Sequence, residues 1–194
     1  MEDKDLSPEE SLKLINSMIG KARTRFTDNS FYYLLWGWLV VAACVLHYWF
    51  AVEEVIESPS MAWLLMFVGA IVSMVHGFRQ GKKATVSHYT DKLYMWLWMS
   101  IGAAMVIIII NGQFLNFHIV PLMLMLAGVG TFVSGAMMRF KVLQFGAICL
   151  WAISILAFQL NEIDQLVAMA GGITVGYLLP GYVMKSNYKK QSGI

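Results

Sequence analysis

Six stretches of this chain, 31–52, 61–78, 93–110, 117–138, 142–160 and 163–184, contain between them one charged residue, Asp164, at the margin of the last. Each is near or above the roughly 17–25 residues that a helix needs to cross the hydrocarbon core of a bilayer. Together they take up most of the 194 residues. Only 13% of the chain is charged, about half the share usual in a soluble domain, so the polar surface that water requires is missing. No remainder is long enough for a separate soluble domain. The expected fold is all-α: a polytopic transmembrane helical bundle of six spans over 31–184, preceded by a segment over 1–30 and followed by a basic tail over 185–194. The acidic opening MEDKDLSPEE is not expected to act as a cleavable signal.

The cations fix an orientation. Lys4, Lys13, Lys21, Arg23 and Arg25 precede the first span, and Arg79, Lys82, Lys83 and Lys92 fall between the second and third. Arg139 and Lys141 fall between the fourth and fifth, and Lys185, Lys189 and Lys190 follow the sixth; these are all 14 Lys and Arg residues. The other three connections carry only Glu53, Glu54, Glu57, Glu162 and Asp164 as charges. Positive charge stays on the cytoplasmic side, so both termini are expected there.

Two phrases repeat. RFTDNSFYYLLWGW (25–38) and SHYTDKLYMWLW (87–98) each run from Thr-Asp into a dense set of aromatics. Thr27-Asp28 and Thr90-Asp91 are read as helix caps at the inner interface, where orphan N–H groups need side-chain oxygens. Phe31, Tyr32, Tyr33 and Trp36, with Tyr94, Trp96 and Trp98, are read as the headgroup belt. The second, fourth and sixth spans share small residues four apart: Gly69, Ser73 and Gly77; Ala127, Thr131 and Gly135; Gly172 and Gly176. Such spacing lets helix backbones approach closely, and packing within the monomer is favoured over packing between subunits. Three helical-hairpin repeats would explain both patterns; convergence on common membrane rules is the favoured explanation. Trp63 and Trp151 are read as lipid-facing or core aromatics.

Outside the spans, LSPEESLKLINSMIGKARTRF carries a capping box, Ser7 with Glu10, and Pro8 suits the first helical position. Leu12, Ile15, Ile19, Ala22 and Phe26 recur at spacings of 3, 4, 3 and 4. The expectation is an amphipathic cytoplasmic helix over about residues 8–25. Its apolar seam could dock on the membrane or the bundle, self-associate, or take a cytosolic protein partner.

Little catalytic chemistry is visible. No carboxylate, Lys or Arg lies in the middle of a span, which disfavours proton-coupled transport through a buried acid. The Gly-Lys-Lys of RQGKKATVSH lacks the earlier glycine and the strand of a phosphate loop. His47 with His118 near the outer face, and His76 with His88 near the inner one, are the only metal or haem candidates. They form no ligand motif, so the reading is no metal, no cofactor and no catalytic residue. Cys44 and Cys149 are read as packed thiols. Ser73, Ser100, Thr131, Ser134, Ser154 and Thr174 are expected to bond within or between helices. The 14 methionines suit either an adaptable apolar cavity or lipid-facing filler.

LSPEESLKLINSMIGKARTRF, DNSFYYLLWGW and GVGTFVSGAMMRFK resemble segments of a family of small bacterial inner-membrane proteins without assigned activity. The resemblance implies six spans in a bacterial cytoplasmic membrane and transfers no site residue. The expected function is a non-enzymatic, membrane-embedded binding or interaction module. The expected partners are the lipid bilayer, further copies of the chain and a cytosolic protein on the N-terminal helix, with no nucleic acid. The alternative is a small transporter or channel for a neutral or apolar compound.

Overall fold

The computed structural model describes Ser7, Glu9, Glu10, Leu12 and residues 29–83, 89–116 and 118–192. Every regular element among these is helical. Helix α1 (Ser30–Val52) leads through a loop to a 3-10 turn (Pro59–Leu64), which runs directly into α2 (Leu65–Lys83). Helix α3 (Tyr89–Ile110) and a short 3-10 turn (Gly112–Leu115) precede α4 (Ile119–Met137) and α5 (Lys141–Ala157). The last helix is continuous but changes its winding: α6 (Glu162–Ile173), a π turn (Thr174–Leu178) and α7 (Leu179–Ser192). Five of these helices are long and apolar enough to cross a membrane, and α5 is a shorter apolar helix of 17 residues. At 1.5 Å per residue α5 is only about 25 Å long. One face of it is fully buried in the bundle, at Leu143, Ala147, Leu150 and Ala157, while Phe145, Ile148 and Ile155 face outward.

Local chemistry places the helix ends. Ser7 and Glu10 cap each other reciprocally, the Glu10 N–H donating to Ser7 Oγ at 3.2 Å and the Ser7 N–H to Glu10 Oε2 at 3.1 Å. Ile15, Ile19, Ala22 and Phe26, the rest of the expected seam, lie outside the described residues, as do Thr27, Asp28 and His88. Asn161 caps α6 by accepting from the Asp164 N–H at 2.9 Å. The one charge in the last apolar stretch is thereby explained: Asp164 takes a hydrogen bond from Asn161 Nδ2 at 2.7 Å and faces the positive end of the helix dipole. The α4–α5 turn closes as a Schellman motif, with Phe140 N–H donating to Gly135 O at 2.8 Å and Arg139 N–H to Ala136 O at 3.1 Å. Arg139 occupies the left-handed position (φ 52°).

The π turn has a cause in the sequence. Pro180 has no N–H, and in a regular α-helix its ring would strike the carbonyl four residues back, that of Gly176. Widening the turn avoids that clash, and the Leu179 N–H donates to Thr174 O instead. The displaced Gly176 backbone then lies against α5 at Gly146. A Cβ on residue 146 would come within 3.1 Å of the Gly176 carbonyl oxygen and 3.2 Å of its Cα.

Packing divides the helices into two groups. Helix α1 packs along the last helix, which packs in turn on α4 and α5, and α4 and α5 are the tightest pair. The core shared by these four helices contains Tyr33, Cys44, Leu124, Leu143, Leu150, Met169, Ile173 and Tyr177. Helix α2 packs mainly on α1, and α3 mainly on α4. Both leave most of their apolar surface bare, as at Phe67, Ile71, Met74 and Phe78 of α2 and Trp96, Ile107 and Ile110 of α3. Unbroken apolar faces of that kind need a hydrocarbon environment, and the chain is built as a membrane protein. The tightest pair joins spans that the hairpin reading assigns to different repeats, so hairpins are not the units of packing.

Candidate functional site

The small residues of the three spans all face neighbouring helices of the same chain. In α2, a Cβ on Gly69 would meet Leu39 Cδ1 at 2.6 Å, one on Gly77 would meet the Tyr32 hydroxyl at 3.5 Å, and Ser73 accepts from Trp36. In α4, Ala127 and Thr131 are buried, and a Cβ on Gly135 would come within 3.0 Å of the Gln144 backbone N. Gly172 faces Leu124 and Ile153, and Gly176 faces Leu150. Gly146, which answers Gly176 from α5, carries no such spacing and is not found by that pattern.

Tryptophan does much of the joining. Five of the seven indole N–H groups donate to another element: Trp36 to Ser73 Oγ (3.1 Å), Trp38 to Tyr182 Oη (3.1 Å), Trp63 to His47 Nδ1 (2.9 Å), Trp98 to Ser134 Oγ (3.2 Å) and Trp151 to Met125 O (3.1 Å). Each such bond contributes roughly 0.6 kcal/mol within a membrane, so together they matter more for alignment than any one does for stability. Ser154 donates to Pro121 O at 2.7 Å across α4 and α5. Ser100, Thr131 and Thr174 bond back to carbonyls of their own helices.

The polar groups converge most closely near the starts of α1 and α3. Tyr33 of α1, Trp98 of α3 and Tyr177 of the π turn stand edge to face, with ring centroids 5.3 Å (Tyr33–Tyr177), 6.4 Å (Tyr33–Trp98) and 6.4 Å (Trp98–Tyr177) apart. Tyr94 lies 6.3 Å from Trp98. Tyr94 and Ser134 are polar neighbours of the Tyr33 hydroxyl, yet that buried hydroxyl makes no hydrogen bond of acceptable geometry. The cluster holds phenols, an indole and hydroxyls, with no carboxylate, imidazole or amine among them to act as a base. It can order four helices; it lacks the partner that nucleophilic chemistry needs. Tyr33, Tyr94 and Trp98 therefore do not form the headgroup belt assigned to them above; Trp96, largely exposed, is free to do so. The signal was present in Tyr33, Gly37, Val40 and Cys44, a buried stripe at helical spacing.

The described histidines are engaged singly. His47 accepts from Trp63, His118 lies 3.4 Å from Gln165 Nε2, and His76 stacks on Phe31 (4.0 Å between centroids) beside Gln80. Among the described residues no three His, Cys, Asp or Glu side chains come together. Cys44 and Cys149 are free thiols, the former buried.

Comparison of the chain with protein-family models, with curated proteins and with solved structures finds no match in any of the three. Its function rests on its own geometry.

Proposed function

We propose that the chain is a non-enzymatic interaction module of a bacterial cytoplasmic membrane, self-associating in the bilayer through α2. In this reading α1–α5 and the continuous last helix make six crossings, with both termini in the cytoplasm. The charge pattern supports that orientation: Arg79, Arg139, Lys141 and Lys185 lie at one end of the helices, and Glu53, Glu54, Glu57 and Glu162 at the other. The N-terminal helix, opened by the Ser7–Glu10 box and carrying an exposed Leu12, is its cytoplasmic working surface.

One observation carries the self-association reading. Helix α2 uses its small residues against α1 and turns a regular row of bulky ones outward. Phe67, Ile71, Met74 and Phe78 are each more than 60% exposed and fall at spacings of 4, 3 and 4, the period of a seam between paired helices. Labelled chains reconstituted in vesicles should show intermolecular energy transfer that rises with protein density and saturates. Replacing Phe67, Ile71 and Phe78 together by alanine should weaken the association about tenfold or more. Transfer no greater than that of unrelated membrane proteins at the same density would refute it, as would robust, saturable flux of a small solute.

A further inference from the structure

We infer that the chain binds an amphiphile with an ammonium head and an apolar chain in the groove between the end of α1 and the start of α2. This inference is independent of self-association. Two hollows adjoin there. One, of about 340 Å³, is apolar and is lined by Leu46, Phe50, Met61, Leu65 and Val68, with Ile56. The other, of about 380 Å³, shares Phe50 and Ile56 and adds Glu54 and Glu57. Both are shallow grooves open to the surroundings, a shape that suits an extended chain lying along the surface.

Charge complementarity names the occupant. Glu53, Glu54 and Glu57 follow directly on α1, whose terminal carbonyls already carry partial negative charge. Helix ends of this kind are normally matched by Lys or Arg, and none occurs anywhere from Thr27 to Phe78. The outer connections 111–118 and 159–163 have none either. The carboxylates are exposed, and no described cation pairs with them. A hydrocarbon chain alone would fill the apolar hollow and leave the acids unmatched, while a simple cation would do the reverse. An anionic amphiphile would set its own charge against Glu54 and Glu57. A chain ending in ammonium satisfies both halves at once.

The full chain in lipid nanodiscs provides the test, with three single-chain probes of equal length carrying a diazirine: an alkylammonium, an alkyl alcohol and an alkyl phosphate. Crosslinks are located by peptide mass spectrometry. The ammonium probe should label the segment 46–68 saturably, about tenfold or more above the other two. Glu54→Gln with Glu57→Gln should reduce its labelling to their level, and these exposed positions leave the fold intact. Leu65→Trp, which fills the apolar hollow and spares the carboxylates, should reduce it as well. Equal labelling by all three probes would overturn the inference, showing ordinary lipid contact. Absence of saturable labelling, or labelling unchanged in the double glutamine variant, would overturn it too.

Discussion

Tyr33 shows how one atom can be read for its energy. Its hydroxyl is buried without a hydrogen bond, a situation that costs about 1–3 kcal/mol, while its ring is part of the aromatic cluster. Tyr33→Phe removes the cost and keeps the ring, so thermal unfolding in detergent should show a variant more stable by about 1 kcal/mol. A less stable variant would mean that the hydroxyl has a partner. The glycines allow a matched pair of opposite sign. A Cβ on Gly171 meets nothing within 4 Å, so Gly171→Ala should gain about 0.5–1 kcal/mol through helix propensity. Gly146→Ala instead presses on the Gly176 backbone, which cannot rotate away as a side chain would, and should lose about 1–3 kcal/mol. Equal effects on the unfolding midpoint would deny the close approach of α5 to the π turn. At this scale the sequence was only partly legible. Tyr33 and Trp96 stand in similar phrases, and which of them faces protein depends on neighbours that are distant in sequence.

The helices themselves were largely legible, because charge-free runs and their cationic flanks are local signals. Asp164 could be placed at a helix end from sequence, and it lies in the first turn of α6, its N–H capped by Asn161. The winding of the last helix was not anticipated, although LLPG over 178–181 announces it: a proline within a long apolar run must displace a carbonyl. A π turn holds one residue more than the α turn it replaces. Deleting one residue from 174–178 therefore restores α geometry and keeps the flanking registers. Deletion of Val175 alone sets the Pro180 ring against the Gly176 carbonyl and should cost about 3 kcal/mol. Combined with Pro180→Ala, most of that loss should be recovered in thermal unfolding. If the deletion costs the same with and without Pro180→Ala, the proline is not the reason for the turn.

For the whole molecule, the sequence conveyed the solvent but not the partition of helices. Similar small-residue spacings appear in three spans, yet α4 and the last helix use them inside the core while α2 uses them at the margin, on α1. Hydropathy cannot make that distinction, since lipid and protein interior are equally apolar. The central claim is that hydrocarbon bathes the outward face of α3 while protein covers the inward face of α5. The most direct measurement is carbene labelling of the chain in membrane vesicles by a bilayer-dissolved reagent, compared residue by residue with a water-soluble one. Met99, Val106 and Ile107 of α3, which are exposed and lie off the α2 seam, should take the bilayer reagent heavily, and Leu143, Ala147 and Leu150 of α5 should take little of either. Labelling of the α3 face by the aqueous reagent, or of Leu143, Ala147 and Leu150 as strongly as that face by the bilayer reagent, would contradict the claim.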